Sequence, residues 1–272
     1  MCCISKKSAI STNKCFHCDQ DSSNRRKTMT RPTISLSGDP IFRYGEHAPE
    51  HYRLTVECEN YSNAVESHIR KHIGKSGLVF REFLSKIVHI NVHWIKPCTN
   101  YPFHVLVTSG MSSKPMNIPQ GLDNFRYAEL CILLPDRWKI GGVKINSSEE
   151  FFGDERSYWP LRWLKTVARF PHEYYTWIGG GHTVQFGDNL SPFASDTKLS
   201  SMLLLESVSL PPEFSELMVD NKRIIKFYCL YPIYKEEMHF RLNHGIDALL
   251  DKFSKFNVSD VLDIKRPNTC LR

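Results

Sequence analysis

Residues 158–188 have the sequence YWPLRWLKTVARFPHEYYTWIGGGHTVQFGD, in which a helical pattern passes into a glycine-rich segment. From residue 157 to residue 170, apolar and basic side chains recur at spacings of three and four, which predicts an amphipathic helix. Its apolar face is formed by Trp159, Trp163, Leu164, Val167 and Ala168. Pro160 suits a first helical turn, where its missing N–H costs little, and Pro171 marks the far end.

Glycines occupy positions 179–181, shortly after the predicted helix. Because glycine tolerates positive φ and close backbone approach, we expect a compact loop here rather than regular structure. The loop would bring polar residues on both its sides together: His172, Glu173, His182, Thr183 and Asp188. It is therefore the first candidate for a functional site.

The same stretch resembles a known family. The sequence RWLKTVARFPHEYYTW…GHT is similar to the suppressor-of-fused domain family, and the similarity runs from residue 79 to residue 268. It includes VHINVH (88–93), LVTSGMS (106–112), PMN (115–117), YAEL (127–130), LYPIYKEEM (230–238), HGIDALLDKF (244–253) and RPN (266–268). Any one of these motifs is weak evidence, but their shared order makes the resemblance specific.

Composition limits the classes of protein to consider. A chain of 272 residues with 41% hydrophobic and 12% aromatic content can bury a full core in one large domain or two small ones. No run approaches the ~18 uncharged apolar residues of a membrane helix, so we expect no integral membrane segment. The first residues lack the apolar region of a secretory signal, which favours a cytoplasmic location.

The net charge of +6 is concentrated at the N-terminus. Residues 1–31 contain seven Lys or Arg and two Asp, so they carry +5 and the remaining chain carries +1. We predict a disordered, basic, Cys-containing tail over residues 1–32 and a suppressor-of-fused-like domain over residues 33–272. A nearly neutral domain argues against a nucleic-acid partner.

The tail contains two cysteine patterns. Cys15 and Cys18 form a C-x-x-C, the spacing of half a zinc site, but no second pair at finger spacing follows. They are weak metal candidates, and we expect no cofactor. Cys2 and Cys3, beside basic residues, would suit reversible palmitoylation in a eukaryote.

The remaining pattern predicts two further helices and five strands. The helices cover residues 62–73 and 235–253, and the strands cover residues 88–94, 103–108, 127–134, 201–205 and 224–231. Short loops would let the first two strands pair antiparallel, and Cys131 and Cys229 would be core thiols. This order predicts an α/β (α+β) sandwich with a mixed, mainly antiparallel central sheet flanked by helices.

An enzymatic interpretation is the first alternative. A metal-dependent hydrolase would use His172, Glu173 and His182, with Asp188, Glu236 or Glu237, as a metal or acid–base cluster. The pair His172–Glu173 lacks the second histidine of an H-E-x-x-H motif, however. The favoured interpretation is that His172 and Glu173 fix the loop after the helix by hydrogen bonds.

A protein-binding surface is the favoured interpretation of the site. Trp and Tyr are enriched in protein interfaces, and strand ends near the loop would accept an extended peptide by edge addition. The candidate contact residues are His172, Glu173, Tyr175, Trp177, Gly181, His182, Thr183, Asp188, Glu236 and Glu237.

The family resemblance implies the same class of function. Animal suppressor-of-fused proteins are non-enzymatic regulators that hold a transcription factor through a short extended segment, and this chain resembles only their N-terminal domain. Bacterial proteins with this domain act as immunity proteins that neutralise toxins of polymorphic toxin systems. We therefore expect a protein partner: a toxin if the source is bacterial, and a transcription factor or signalling protein in a eukaryote.

Overall fold

The computed structural model describes residues 2–4, 8–11, 32–44, 61–82, 87–140, 154–187, 189–220 and 223–271, with the backbone alone for the first two segments. The α-helices within these ranges are α1 (Ser62–His72), α2 (Glu155–Glu173), α3 (Lys235–His244) and α4 (Ile246–Lys255). None of the helices in the described part of the chain combines the length and apolar character that a membrane crossing requires.

The strands form one sheet. They are β1 (Cys2–Ile4), β2 (Ser8–Ser11), β3 (Thr33–Ile34), β4 (Pro40–Tyr44), β5 (Leu78–Phe80), β6 (Asn91–Ile95), β7 (Phe103–Ser109), β8 (Tyr127–Pro135), β9 (Thr183–Phe186), β10 (Leu199–Leu205), β11 (Glu216–Asp220) and β12 (Arg223–Tyr234). Their order across the sheet is β1-β4-β2-β9-β10-β12-β8-β7-β6-β5, with β3 beside β4 and β11 beside β12.

The pairing is mixed and mainly antiparallel, as predicted. Strands β5 to β8 form an antiparallel series, and β9, β10 and β12 form another. The two series meet at the parallel pair β8–β12, where Cys131 lies opposite Cys229. Both cysteines are buried free thiols, in agreement with the core role predicted for them.

Both faces of the sheet are covered, which gives the predicted sandwich. Along β8, Leu130 and Ile132 face α2, whereas Cys131 and Leu133 face the side covered by α1, α3 and α4. This alternation follows from the two-residue period of a strand. A strand buried on both faces is apolar throughout, which explains the continuous apolar run at residues 127–134.

Helix α2 covers one face with the apolar stripe predicted for it. Trp159, Leu164 and Val167 are fully buried there. Asp154 caps the first turn by accepting the Arg156 N–H, as helix N-caps do. The helix runs to Glu173, so Pro171 lies inside its last turn instead of after its end.

Two predictions for the C-terminal half are wrong. The single helix predicted over residues 235–253 is two helices, because Gly245 adopts φ 90° and ψ 171° and ends α3. Glycine has no Cβ and so accepts this backbone conformation. The segment from residue 172 to residue 188 is not loop throughout, because β9 begins at Thr183 and pairs with β10.

The predicted tail is described in part. Residues 2–4 and 8–11 are strands paired with β4 and β9. The disorder expected for residues 1–32 as a whole stays a prediction. Cys15 and Cys18 lie outside the described residues. The domain boundary at residue 33 stays a prediction.

Candidate functional site

The loop from Tyr174 to His182 connects α2 to β9. Two backbone hydrogen bonds tie the start of the loop to the last turn of α2, from Tyr174 N–H to Phe170 O and from Thr176 N–H to Pro171 O. Tyr175 has a positive φ of 51°, which is uncommon for a residue with a side chain. The chain therefore turns sharply directly after the helix.

Asn117 holds the first half of the loop. Its backbone N–H donates to Thr176 O at 3.0 Å, and its Nδ2 donates to Tyr175 O at 3.1 Å. From the inner side, Tyr44 Oη and Thr176 Oγ1 share a hydrogen bond of 2.7 Å. Two residues distant in the sequence, Asn117 and Tyr44, thus fix the strained turn.

His182 holds the second half. Its Nδ1 accepts the Gly179 N–H at 3.2 Å, which places the ring proton on Nε2 in the neutral form. The imidazole contacts the Trp177 ring edge-on, with 4.5 Å between the ring centres. Burial lowers the pKa of His182 well below its usual value, so the ring is neutral at neutral pH.

Gly181 is held from both sides. Its φ of 80° favours glycine, its N–H donates to Leu204 O at 2.8 Å, and its carbonyl accepts from Arg241 Nη2 at 3.0 Å. Arg241 in turn forms an ion pair with Asp39, at 3.2 Å from Nη1 to Oδ2. The glycine segment is therefore anchored to the sheet and to α3.

His172 lies in the last turn of α2 and is engaged separately. It is only 4% exposed, and its Nε2 donates to Met111 O at 2.9 Å. Burial lowers the pKa of His172 to about 4, the hydrogen bond to Met111 opposing the shift. Glu173 lies 3.6 Å from Arg169 Nε, and burial raises the pKa of this carboxyl.

These contacts do not assemble the enzymatic cluster. His172 and His182 each use a ring nitrogen on a different backbone group. Among the described residues, no group of three His, Cys, Asp or Glu side chains could hold a metal ion. Asp188 lies outside the described residues.

The two α3 glutamates contact the C-terminal segment. Glu237 is fully buried: it accepts the Tyr234 N–H at the start of α3, pairs with Arg266 at 2.5 Å and accepts the N–H and Oγ1–H of Thr269. Glu236 is exposed and accepts from Asn268 Nδ2 at 2.7 Å. Glu237 thus stabilises the start of α3, and its contacts lie away from the loop.

The structure divides the remaining candidates into two groups. His172, His182, Thr183 and Glu237 are buried. Glu173, Tyr175, Trp177 and Gly181 are partly exposed, and Gly180 between them is exposed. The second group and the exposed Glu236 are in a position to contact another molecule.

Sequence reasoning missed the residues that hold the loop. Asn117 ends the PMN motif, which was a usable signal. Arg241 follows Glu237 by four positions, a spacing that usually indicates a surface ion pair along one helix. Here each of the two instead has its own partner outside α3, Asp39 for Arg241 and Arg266 for Glu237.

Comparison with known proteins identifies the family. The family model described as suppressor of fused protein (SUFU) matches residues 86–267, which include the whole loop. The chain belongs to the suppressor of fused family. This is a family of regulatory protein-binding modules and is not known for enzymatic activity. No curated protein matches the chain.

Solved structures share the fold. A SUFU homolog from Neisseria gonorrhoeae has a TM-score of 0.55 and 20% identity over 78% of this chain and 98% of that chain. A chain of the Sufu–Fu complex has a TM-score of 0.53 and 13% identity over 77% of this chain and 92% of that chain. Drosophila Suppressor of Fused has a TM-score of 0.53 and 12% identity over 79% of this chain and 52% of that chain.

Proposed function

We propose that this chain is a non-enzymatic protein-binding module whose contact surface is the loop from Tyr174 to His182. The observation that carries the proposal is the division of the site into a buried framework and an exposed surface. His172 and His182 are buried and bonded to backbone groups, whereas Tyr175 and Trp177 are partly exposed.

This division suits recognition of a protein. A large aromatic side chain on a fixed loop supplies contact area at little entropic cost, and Trp and Tyr are frequent hot spots in interfaces. The exposed Gly180 leaves room for a partner backbone beside Trp177. An extended segment of a protein is therefore the proposed ligand.

The proposed partner depends on the source of the chain. In a bacterium, we propose a toxin of a polymorphic toxin system, with this chain as its immunity protein in the cytoplasm. The fold shared with nearly the full length of the gonococcal homolog supports this bacterial alternative. In a eukaryote, the proposed partner is a transcription factor or signalling protein.

Affinity capture from the native source tests the proposal. The wild-type chain is compared with Trp177→Ala and with a control, Phe256→Ala, which removes an aromatic side chain that is 45% exposed and lies after α4. Thermal melts confirm that each variant is folded. We expect a discrete protein to be retained by the wild type and the control and lost by Trp177→Ala.

Two results would contradict the proposal. One is equal capture of the same protein by the wild type and by folded Trp177→Ala. The other is stoichiometric bound metal that is lost in His172→Ala, which would support the hydrolase. For a bacterial source, the immunity role further requires that the captured protein stop growth when expressed alone and not when co-expressed with this chain.

A further inference from the structure

Arg241 is an unusual residue for the interior of this fold. It lies on α3, is 1% exposed, and is one of the largest fully buried side chains. Its guanidinium reaches two elements at once: Nη1 lies 3.2 Å from Asp39 Oδ2, and Nη2 donates to Gly181 O at 3.0 Å. Asp39 is itself only 6% exposed.

The anchor of this arginine is well fixed. Asp39 lies in the turn between β3 and β4, where its N–H donates to Ser35 Oγ and its carboxylate accepts from Ser37 Oγ. The Ser37 N–H in turn donates to Leu242 O on α3. The turn and the helix therefore hold the carboxylate and the guanidinium in one geometry, with the Gly181 carbonyl as the third member.

Stability alone is a poor explanation for this arrangement. A buried ion pair is often no more stabilising than apolar side chains of similar volume, because both charges lose their hydration. A planar guanidinium offers what an apolar side chain does not, a rigid fork that fixes two acceptors relative to each other. Here one acceptor is the Asp39 carboxylate in the turn between β3 and β4, and the other is the Gly181 carbonyl in the candidate binding loop.

We propose that Arg241, anchored by Asp39, is a positioning residue that sets the backbone of the loop at Gly181 for partner binding. Gly181 is the point where the exposed part of the loop returns to the sheet, since its N–H bonds to Leu204 O. Fixing its carbonyl from beneath holds Gly180 and Trp177 in place before a partner arrives. The expected effect of Arg241 on partner affinity rests on the proposed function.

The test compares two matched substitutions on the two buried ion pairs of α3. Arg241→Lys keeps the charge beside Asp39 but, having one ammonium group, loses the fork. Arg266→Lys does the same at the pair formed by Arg266 and Glu237, whose contacts lie away from the loop. For each variant, the melting temperature, the amide hydrogen exchange of residues 176–182 and the affinity for the partner captured by the wild type are measured.

We expect Arg241→Lys to melt close to Arg266→Lys yet to exchange the loop amides at least tenfold faster and bind the partner at least tenfold more weakly. Arg266→Lys should leave both loop readouts unchanged. Unchanged loop exchange in folded Arg241→Lys, or an equal loss of affinity in both variants, would overturn the inference. If Arg241→Lys does not fold, Asp39→Asn, which keeps the arginine and weakens its anchor, replaces it in the same comparison.

The two proposals fail in different ways. If the wild type captures no partner, the proposed function fails, while the exchange measurement still decides whether Arg241 positions the loop. If a partner binds and the exchange of residues 176–182 is insensitive to Arg241→Lys, the binding role stands and the positioning role is rejected.

Discussion

The centre of the sheet and the loop after α2 are held together by different means. Strands β7, β8 and β12 are buried between helices through apolar side chains that alternate between two core clusters. The loop from Tyr174 to His182 is fixed mainly by single polar contacts to Asn117, Tyr44 and Arg241. Apolar packing is spread over many residues, whereas the geometry of the loop depends on a few, so the two regions should respond differently to mutation.

The largest expected effect on stability comes from a substitution in the apolar core. Trp159 is fully buried and stacks on Phe193 with 5.0 Å between the ring centres. Trp159→Ala should lower the free energy of unfolding by about 3–5 kcal/mol, because a large cavity is left. Urea denaturation measures the change, and a loss below about 1 kcal/mol would mean that α2 is not packed as described.

The next prediction concerns the pH dependence of stability that buried His172 causes. Because the pKa of His172 in the folded protein is about 4, the folded state binds fewer protons than the unfolded state between pH 6.5 and 4. Its contribution to stability is therefore present above pH 6.5 and is lost as the pH falls to 4, by about 3 kcal/mol.

His172→Gln is the matched variant for this titration. Its side-chain amide replaces the Nε2–H that donates to Met111 O, but it does not titrate. Urea denaturation from pH 7 to pH 4 should show a shallower loss of stability in this variant than in the wild type. Parallel pH profiles would show that His172 is not buried in its neutral form.

The third prediction concerns the turn at the end of β7. Gly110 has φ 113°, and a Cβ there would lie 2.0 Å from His89 O, whereas Gly121 has φ 85° with open space around it. Both alanine substitutions strain the backbone, but only Gly110→Ala adds a clash. We expect it to cost about 2 kcal/mol more than Gly121→Ala in thermal or urea unfolding. Equal costs would contradict the close approach of His89.

The smallest effect belongs to the loop. Asn117→Ala removes the side-chain hydrogen bond to Tyr175 O and keeps the backbone bond to Thr176 O. The free energy of unfolding should fall by about 1 kcal/mol or less. Amide exchange should accelerate at residues 174–176 and stay unchanged in β7 and β8. Uniform acceleration throughout the chain would show that the loop is not an independent unit.

The same difference explains what the sequence could predict. Periodic apolar patterns located α1, α2 and β6, and continuous apolar runs located β7 and β8. Strands β10 and β12 were located as well, because each element carries its pattern within its own residues. Gly245 was a visible signal inside a helical pattern, and it does divide α3 from α4. Strand β9 was missed because it spans only Thr183–Phe186 directly after the glycines.

The contacts of the loop could not be predicted in the same way. The bond between Tyr44 and Thr176 joins residues 132 positions apart, and that between Gly181 and Arg241 joins residues 60 positions apart. Periodicity and the glycines at positions 179–181 report only local structure, so they indicated the helix and the loop but not the distant residues that hold the loop. The position of His172, His182 and Thr183 around the loop also grouped them with Trp177 as contact residues, although the fold buries the first three.

We propose that the exposed part of the loop contacts a protein, while the buried side chains of His182 and Arg241 hold the loop backbone in place. Hydrogen–deuterium exchange of the wild type, free and bound to the partner that it captures, tests this most directly. We expect strong protection of residues 174–181 on binding and no change in β11 or at the start of α2. Protection confined to those other regions, with unchanged exchange in the loop, would contradict it.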